Sequence, residues 1–124
     1  MKEQIYKIEN IQSFELADIF DCGQCFSWNK QEDGSYTGVF KGNVMNVQKE
    51  ENTVTFKGIC NGDIKEIVED YFDLDRNYEE IKEQLSKIDE NVKTSIEYGQ
   101  GIRILNQDLW EMIISYIISA NNNI

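Results

Sequence analysis

Residues 26–56 read FSWNKQEDGSYTGVFKGNVMNVQKEENTVTF, and this stretch decides the fold class. Apolar and polar residues alternate along much of it, which is typical of strands with one buried face. Short polar clusters at 31–34, 41–43 and 50–52 interrupt the alternation, and each has the composition of a tight turn. The stretch therefore predicts an antiparallel meander of three or four strands, with Phe26 and Trp28 on one face of the first strand.

The residues before this meander predict two shorter elements. Residues 4–8 alternate like a strand. The apolar residues between positions 14 and 20 suggest a short helix or turn.

After the meander the apolar period lengthens from two residues to about 3.6. Residues 63–72 predict a helix in which Asp63 and Glu66 have the spacing of a capping box. A second helix follows Asn77, whose side chain is placed to cap it, and a third is expected over 89–98, ending at Gly99. Strands and helices in separate runs indicate an α+β fold, a twisted antiparallel sheet packed against helices.

The acidic residues concentrate in these helices, between positions 61 and 97. Such a run usually forms a solvated outer face, and no spacing here resembles a calcium loop.

The last predicted helix, residues 108–118, is apolar on neighbouring faces, and Asp108 is placed to cap it. A helix of this kind needs burial on nearly every side. Only residues 119–124 follow this helix, so we expect the sequence to be truncated there. If nothing covers the stretch from Trp110 to Ile118, it predicts self-association.

Composition narrows the class of protein. The 124 residues carry a formal net charge of -11, which disfavours independent binding of nucleic acid, because phosphate neutralisation supplies most non-specific affinity. No apolar run approaches the length of a membrane span, and the N-terminus has no features of a secretory signal. We expect an intracellular protein that is not secreted and has no membrane partner.

The cysteines permit one alternative chemistry. Cys22 and Cys25 form a Cys-x-x-Cys pair, but a redox site needs a helix directly after it, and strand-like residues follow here. With Cys60 as the one further cysteine and no histidine, a four-ligand zinc site cannot be completed. A thiol redox protein that uses Cys22 and Cys25 thus ranks third, behind the two interpretations that the remaining motifs support.

Three segments, residues 22–28 (CGQCFSW), 101–111 (GIRILNQDLWE) and 119–124 (SANNNI), resemble in this order the motifs of one family, the 8-oxoguanine branch of the helix-hairpin-helix DNA glycosylases. Residues 22–28 (CGQCFSW) are similar to the family's Gly-Gln-x-Phe-x-Trp signature. Residues 101–111 (GIRILNQDLWE) resemble its Gly-x-Arg-x-Leu and Gln-Asp-Pro-Trp-Glu run, and residues 119–124 (SANNNI) its triple-asparagine turn. Residues 71–75 add a fourth match. Each segment is short, but their order and spacing make coincidence a poor explanation.

The resemblance implies a role for named residues. Gly23 would offer its backbone carbonyl to the N7 hydrogen that 8-oxoguanine has and guanine lacks. Asn121 would fill the gap left by the extruded base and face the orphaned cytosine. Gln24, Asn122 and Asn123 are further candidates for substrate binding. Without the resemblance, Gly23 would be read as an ordinary turn glycine.

The resemblance also implies the fold and activity of a parent enzyme. The fold would be similar to a TATA-binding-protein repeat, with residues 1–105 forming one domain and residues 106–124 beginning a helical domain that is cut short. The enzyme would be a glycosylase and abasic-site lyase acting on double-stranded DNA that contains 8-oxoguanine, as a monomer without a metal or organic cofactor. It would work in the cytoplasm or at the nucleoid.

Departures from the family pattern limit what these residues are expected to do. The family's proline is Leu109 here, a modest change at a helix start. The family's catalytic lysine and the aspartate that assists it lie beyond the position of Ile124, and no lysine here stands in a matching motif. We therefore assign no catalytic residue and expect these residues alone to be inactive. A non-enzymatic accessory or interaction domain of the same fold is the second interpretation.

Overall fold

The computed structural model describes residues 2–122, which are built around a five-stranded antiparallel sheet. The strands are β1 (Glu3–Ile8), β2 (Trp28–Lys30), β3 (Tyr36–Phe40), β4 (Asn43–Glu50) and β5 (Thr53–Ile59). Their spatial order is β1-β5-β4-β3-β2. The last four strands thus form the predicted meander, and β1 pairs with β5 at one edge.

The three predicted turns close the meander in the expected places. Lys41 and Gly42 both have positive φ, 49° and 77°, between the paired ends of β3 and β4. This is the backbone of a two-residue hairpin turn whose twist matches that of the strands. Gly34 and Glu51 have positive φ in the other two turns.

The prediction for Phe26 was wrong. The first strand of the meander begins at Trp28, and Phe26 lies in a bend where its side chain is 45% exposed, whereas Trp28 is buried. Gly23 takes a positive φ and Gln24 is hydrogen-bonded to other segments, so the chain before Trp28 follows a loop and not a pleated strand.

Five helices accompany the sheet within the described residues. They are α1 (Leu16–Phe20), α2 (Ile64–Tyr71), α3 (Tyr78–Ser86), α4 (Glu90–Tyr98) and α5 (Leu109–Asn122). The α+β class is confirmed. Asn77 accepts a hydrogen bond from the Glu80 N–H (3.2 Å), as predicted, and Asp89 caps α4 in the same way through the Val92 N–H (2.9 Å).

The capping box expected at the start of α2 is absent. Asp63 occupies the N-cap position without a side-chain hydrogen bond to the helix. Instead the Ile64 N–H donates to Oε1 of Gln4 (3.1 Å), while Nε2 of Gln4 donates to the Gly62 carbonyl (2.7 Å). A side chain from β1 therefore takes the place of the local cap and fastens α2 to the edge of the sheet.

The core lies between one face of the sheet and helices α1 and α2. It is rich in aromatic rings, with centroid separations of 4.4 Å for Phe20–Trp28 and 3.9 Å for Phe40–Tyr71. Such pairs contribute about 0.5–1.5 kcal/mol each beyond the burial of their area. Trp28, Tyr36, Phe40 and Phe56 are 7% exposed or less. These aromatics form part of the core and are not exposed as a platform for stacking bases.

The indole of Trp28 fits over a glycine on the neighbouring strand. Trp28 pairs with Gly38, where an added Cβ would lie 2.3 Å from Cδ2 of the indole. The indole Nε1 donates to the hydroxyl of Tyr71 (3.1 Å). Gly38 therefore provides the space that lets Trp28 reach its partner on α2.

Helix α5 has an exposed apolar surface over most of its length. Trp110 is 68% exposed, Tyr116 73% and Ile117 51%. The sequence predicted that this helix needs burial, and within residues 2–122 most of its apolar side chains remain at the surface.

The acidic helices α2 to α4 present their carboxylates to solvent. Glu66, Asp70, Glu80, Glu83 and Glu97 are all exposed. This arrangement confirms the solvated outer face. Within residues 2–122, no group of side chains is arranged to hold a metal ion, and no helix is long and apolar enough to cross a membrane.

Candidate functional site

The loop of residues 21–27 between α1 and β2 contains Gly23, the residue expected to read the damaged base. Gly23 has a φ of 91°, which residues with a side chain rarely adopt, although a Cβ there would meet no atom within 4 Å. The residue is exposed. Its carbonyl oxygen accepts no hydrogen bond from any residue in the range 2–122. The loop therefore presents an unpaired main-chain acceptor at the surface.

The side chain of Gln24 connects this loop to two other segments. Its Nε2 donates to the carbonyl oxygens of Ile19 (3.0 Å) and Arg103 (2.7 Å). Its Oε1 accepts from the Leu105 N–H (3.0 Å). An amide has two N–H donors, and both are used here. Gln24 thus fastens the loop to the segment that leads into α5.

A second set of contacts joins the start of α5 to the loop and to the sheet. Nε2 of Gln107 donates to the Gln24 carbonyl (2.5 Å). Oδ2 of Asp108 accepts from the Glu111 N–H (3.1 Å), which confirms the predicted cap. The carboxylate of Glu111 accepts from the Lys41 N–H in the β3–β4 turn (3.0 Å). Two motif segments about 80 residues apart in sequence are therefore adjacent in the fold.

Arg103 supports the same segment from the protein interior. It is 5% exposed, donates to the carbonyl oxygens of Asp73 (2.8 Å) and Gln12 (3.0 Å), and lies over the ring of Tyr78, 4.5 Å from its centroid. Burial lowers the pKa of its guanidinium. Arg103 joins three segments of the chain, a role that its place in a short motif did not reveal.

The two cysteines beside Gly23 are not arranged as a redox pair. Cys22 is exposed, and its thiol donates to the Ile19 carbonyl (3.4 Å). Cys25 is buried, and burial raises the pKa of its thiol to about 12. A redox cysteine needs a lowered pKa, which a helix N-terminus or nearby positive charge provides. Here a loop and a strand follow the pair, so the structure gives the redox interpretation no support.

The predicted wedge residues lie at the edge of what the structure describes. The backbone of Asn121 and Asn122 forms the last turn of α5. The side chains of both residues, and Asn123 altogether, lie outside the described part of the chain. The wedge role of Asn121 accordingly stays a prediction.

Sequence reasoning missed the residues that support the loop. The sequence indicated Gln24 as a candidate for contact with the substrate. Gln107 and Glu111 were noted only as members of a motif, and Gln4 only as part of a strand. Apart from Ile19, which is 5 residues from Gln24, the partners of their side chains lie between 58 and 83 residues away along the chain. No local spacing signals such contacts, although the presence of Gln24, Gln107 and Glu111 in the two motifs was a clue that the segments meet.

Comparisons with known proteins match most of the chain, including the first two motif segments. The family model described as the N-terminal domain of 8-oxoguanine DNA glycosylase matches residues 7–113. The N-glycosylase/DNA lyase of Saccharomyces cerevisiae is 29% identical over 122 residues, a match that covers 88% of this chain and 32% of the yeast protein.

Two solved structures of Clostridium acetobutylicum 8-oxoguanine glycosylase/lyase are also similar. The apo form is 46% identical with a TM-score of 0.88, over 98% of this chain and 43% of that one. The complex with double-stranded DNA containing cytosine opposite 8-oxoguanine gives the same identity and TM-score, over 98% and 42%. This chain therefore spans less than half the length of these relatives.

Proposed function

Because the chain belongs to the family of 8-oxoguanine DNA glycosylase N-terminal domains, we propose that it forms part of a base-excision-repair enzyme. This enzyme removes 8-oxoguanine from double-stranded DNA and cleaves at the abasic site that remains. The observation that carries the proposal is the similarity, across nearly the whole chain, to a glycosylase/lyase whose complex holds DNA with cytosine opposite 8-oxoguanine.

In this proposal Gly23 distinguishes damaged from normal base. A glycosylase extrudes its target nucleotide, because the base cannot be reached inside the stacked duplex. The Gly23 carbonyl then accepts a hydrogen bond from the N7 hydrogen of 8-oxoguanine. Guanine has an acceptor at N7, so the carbonyl would be buried without a partner, at a cost of about 1–3 kcal/mol. That cost corresponds to a preference of roughly 5- to 150-fold.

Glycine suits this position for two reasons. It tolerates a φ of 91°, and the absence of a side chain leaves the space around its Cα open to an approaching base. The unpaired state of the carbonyl within residues 2–122 supports the assignment, because an acceptor already used inside the protein would compete with the ligand.

Asn121 serves in this proposal as the wedge that faces the orphaned cytosine. An amide has donor and acceptor groups, both of which a base edge requires. Asn122 and Asn123 would set the turn geometry at the end of α5. We further propose that residues 106–124 begin the helical domain and that its remainder covers the exposed apolar side of α5.

The negative charge of this chain indicates where DNA affinity comes from. A net charge of -11 repels phosphate, so the phosphate contacts of the enzyme would be supplied by the helical part. An enzyme of this kind works where the DNA is, which places it inside the cell, in the cytoplasm or at the nucleoid.

A chimeric enzyme tests the proposal. The matching N-terminal part of the Clostridium acetobutylicum enzyme is replaced by these 124 residues, and borohydride trapping is carried out on a duplex with 8-oxoguanine opposite cytosine. The chimera should form a covalent adduct. The 124 residues alone should form none, because no lysine among them matches the family's nucleophile.

Two results would contradict this expectation in different ways. An adduct with the 124 residues alone would mean that one of their own lysines is a nucleophile. A folded chimera that forms no adduct would favour the non-enzymatic accessory domain.

A further inference from the structure

We infer that Gln24 and Gln107 are positioning residues, which hold the Gly23 carbonyl at a fixed place relative to α5. The inference rests on the proposed function of Gly23 and adds to it the part of the protein that sets the geometry of the reading group. Neither glutamine needs to touch the base for this role.

The peptide bond explains how Gln24 controls the carbonyl of its neighbour. The Gly23 carbonyl and the Gln24 nitrogen belong to one planar unit. The Gln24 side chain is held at three points, by Ile19, Arg103 and Leu105, and its own carbonyl is held by Gln107. With the residue on one side of the planar unit fixed, the direction of the Gly23 carbonyl has little freedom left.

Flexibility would otherwise be expected at this point. Gly23 is exposed and has the widest conformational range of any residue type. Adjacent Cys22 is exposed too, and its thiol makes one long contact at 3.4 Å. The hydrogen bonds of Gln24 therefore restrain the part of the loop next to Gly23, whose carbonyl must be placed to within a fraction of an ångström to discriminate by hydrogen bonding.

Only a glutamine fits the set of partners around position 24. Two of its three contacts end on carbonyl oxygens and need N–H donors, and the third is an N–H that needs an acceptor. Glutamate would supply no donor and would place a carboxylate against two carbonyl oxygens. Leucine would have a similar volume but would leave the Arg103 carbonyl and the Leu105 N–H without partners, and the Ile19 carbonyl would keep only the weak donor of Cys22.

Gln107 extends the restraint to α5. It binds the Gln24 carbonyl and directly precedes Asp108, whose carboxylate caps the helix. The loop that reads the base and the helix that would carry the wedge thus share one hydrogen-bonded junction. A change at this junction should alter how the base is read without altering the chemistry of strand cleavage.

The test uses the chimera with the Clostridium acetobutylicum helical part and the variants Gln24→Leu and Gln107→Leu. Gln31→Leu is the matched control, because its Nε2 also bonds a backbone carbonyl, that of Asn29, but in an exposed turn. Each protein is assayed on two duplexes, one with 8-oxoguanine and one with a preformed abasic site. The abasic duplex has no base for Gly23 to read, so it reports on folding and strand cleavage alone.

We expect Gln24→Leu to lower kcat/KM for 8-oxoguanine about tenfold or more, since several hydrogen bonds are lost, and Gln107→Leu about threefold to tenfold. Cleavage of the abasic duplex should stay within about twofold for both, and the control should match the parent on both duplexes. Gln107→Leu loses only one hydrogen bond, so we expect it to fold. It therefore provides the test if Gln24→Leu does not fold.

The contrary outcomes are distinguishable. An active parent chimera with both variants within about twofold on 8-oxoguanine would overturn the inference and leave the proposed function intact. Equal losses on the two duplexes would reduce the glutamines to a structural role, which also overturns it. A folded parent chimera that is inactive on both duplexes would overturn the proposed function and this inference with it.

Discussion

Replacing Gly38 by alanine should destabilise the protein, whereas alanine in place of glycine inside a strand normally stabilises by about 0.5–1 kcal/mol. The new Cβ would lie 2.3 Å from Cδ2 of Trp28 and 2.7 Å from two more indole atoms. The indole cannot move away easily, because Phe20 stacks on it at 4.4 Å and its Nε1 is bonded to Tyr71. Overpacking of this kind costs about 1–3 kcal/mol, and a lost buried hydrogen bond adds to it.

We therefore expect a loss of about 2–3 kcal/mol in the free energy of unfolding, or roughly 10 °C in Tm for a domain of this size. Thermal unfolding of the 124-residue chain followed by circular dichroism measures it. Val39→Ala is the control, because Val39 is 55% exposed on the opposite face of the same strand and should cost no more than about 0.5 kcal/mol. A Gly38→Ala variant that melts within about 2 °C of the parent would refute the packing of Trp28 over Gly38.

Three other predictions follow from single contacts. Gln4→Ala should lower the free energy of unfolding in urea by about 1 kcal/mol, because it removes the cap of α2, and Asp63→Ala should lower it much less. A larger loss for Asp63→Ala than for Gln4→Ala would mean that Asp63 caps the helix after all. Burial raises the pKa of the Cys25 thiol from 9.0 to about 12, so the unfolded chain loses this proton at a lower pH than the folded chain. The free energy of unfolding should therefore fall as the pH rises from 9 to 12, and Cys25→Ala should make this fall shallower. The same dependence on pH in the variant and the parent would argue against a buried thiol. Glu111→Ala should speed hydrogen exchange at the Lys41 amide by about tenfold in NMR, whereas unchanged protection would mean that α5 is not fastened to the β3–β4 turn.

The parts of the fold that follow from local patterns were predictable. Alternation in β3, β4 and β5, polar turns between them and apolar spacing in α2 each express a period set by the backbone, so the sequence alone indicated their type. Asn77 and Asp108 were found as caps because a capping side chain bonds a backbone N–H only three positions away.

Long-range hydrogen bonds account for what was missed. The cap of α2 comes from Gln4, 60 residues before Ile64, and a local pattern pointed to Asp63 instead. Phe26 fits a strand by its alternation, but the bend before Trp28 is set by the contacts of Gln24 with residues about 80 positions away. The order of the motifs indicated the loop as a candidate site, whereas the partners that hold it depend on tertiary structure.

The central claim, that the Gly23 carbonyl reads the N7 hydrogen, is tested most directly by the ratio of kcat/KM for 8-oxoguanine to kcat/KM for guanine, each opposite cytosine, in the chimeric enzyme. Gly23→Ala should shift the carbonyl, since alanine disfavours a φ of 91°, and Gly34→Ala is the control, with a φ of 87° and equally open space but in a distant turn. We predict that the ratio falls at least fivefold or so for Gly23→Ala and stays unchanged for Gly34→Ala. If the ratio for Gly23→Ala equals that of the parent and of Gly34→Ala, the Gly23 carbonyl does not read the N7 hydrogen.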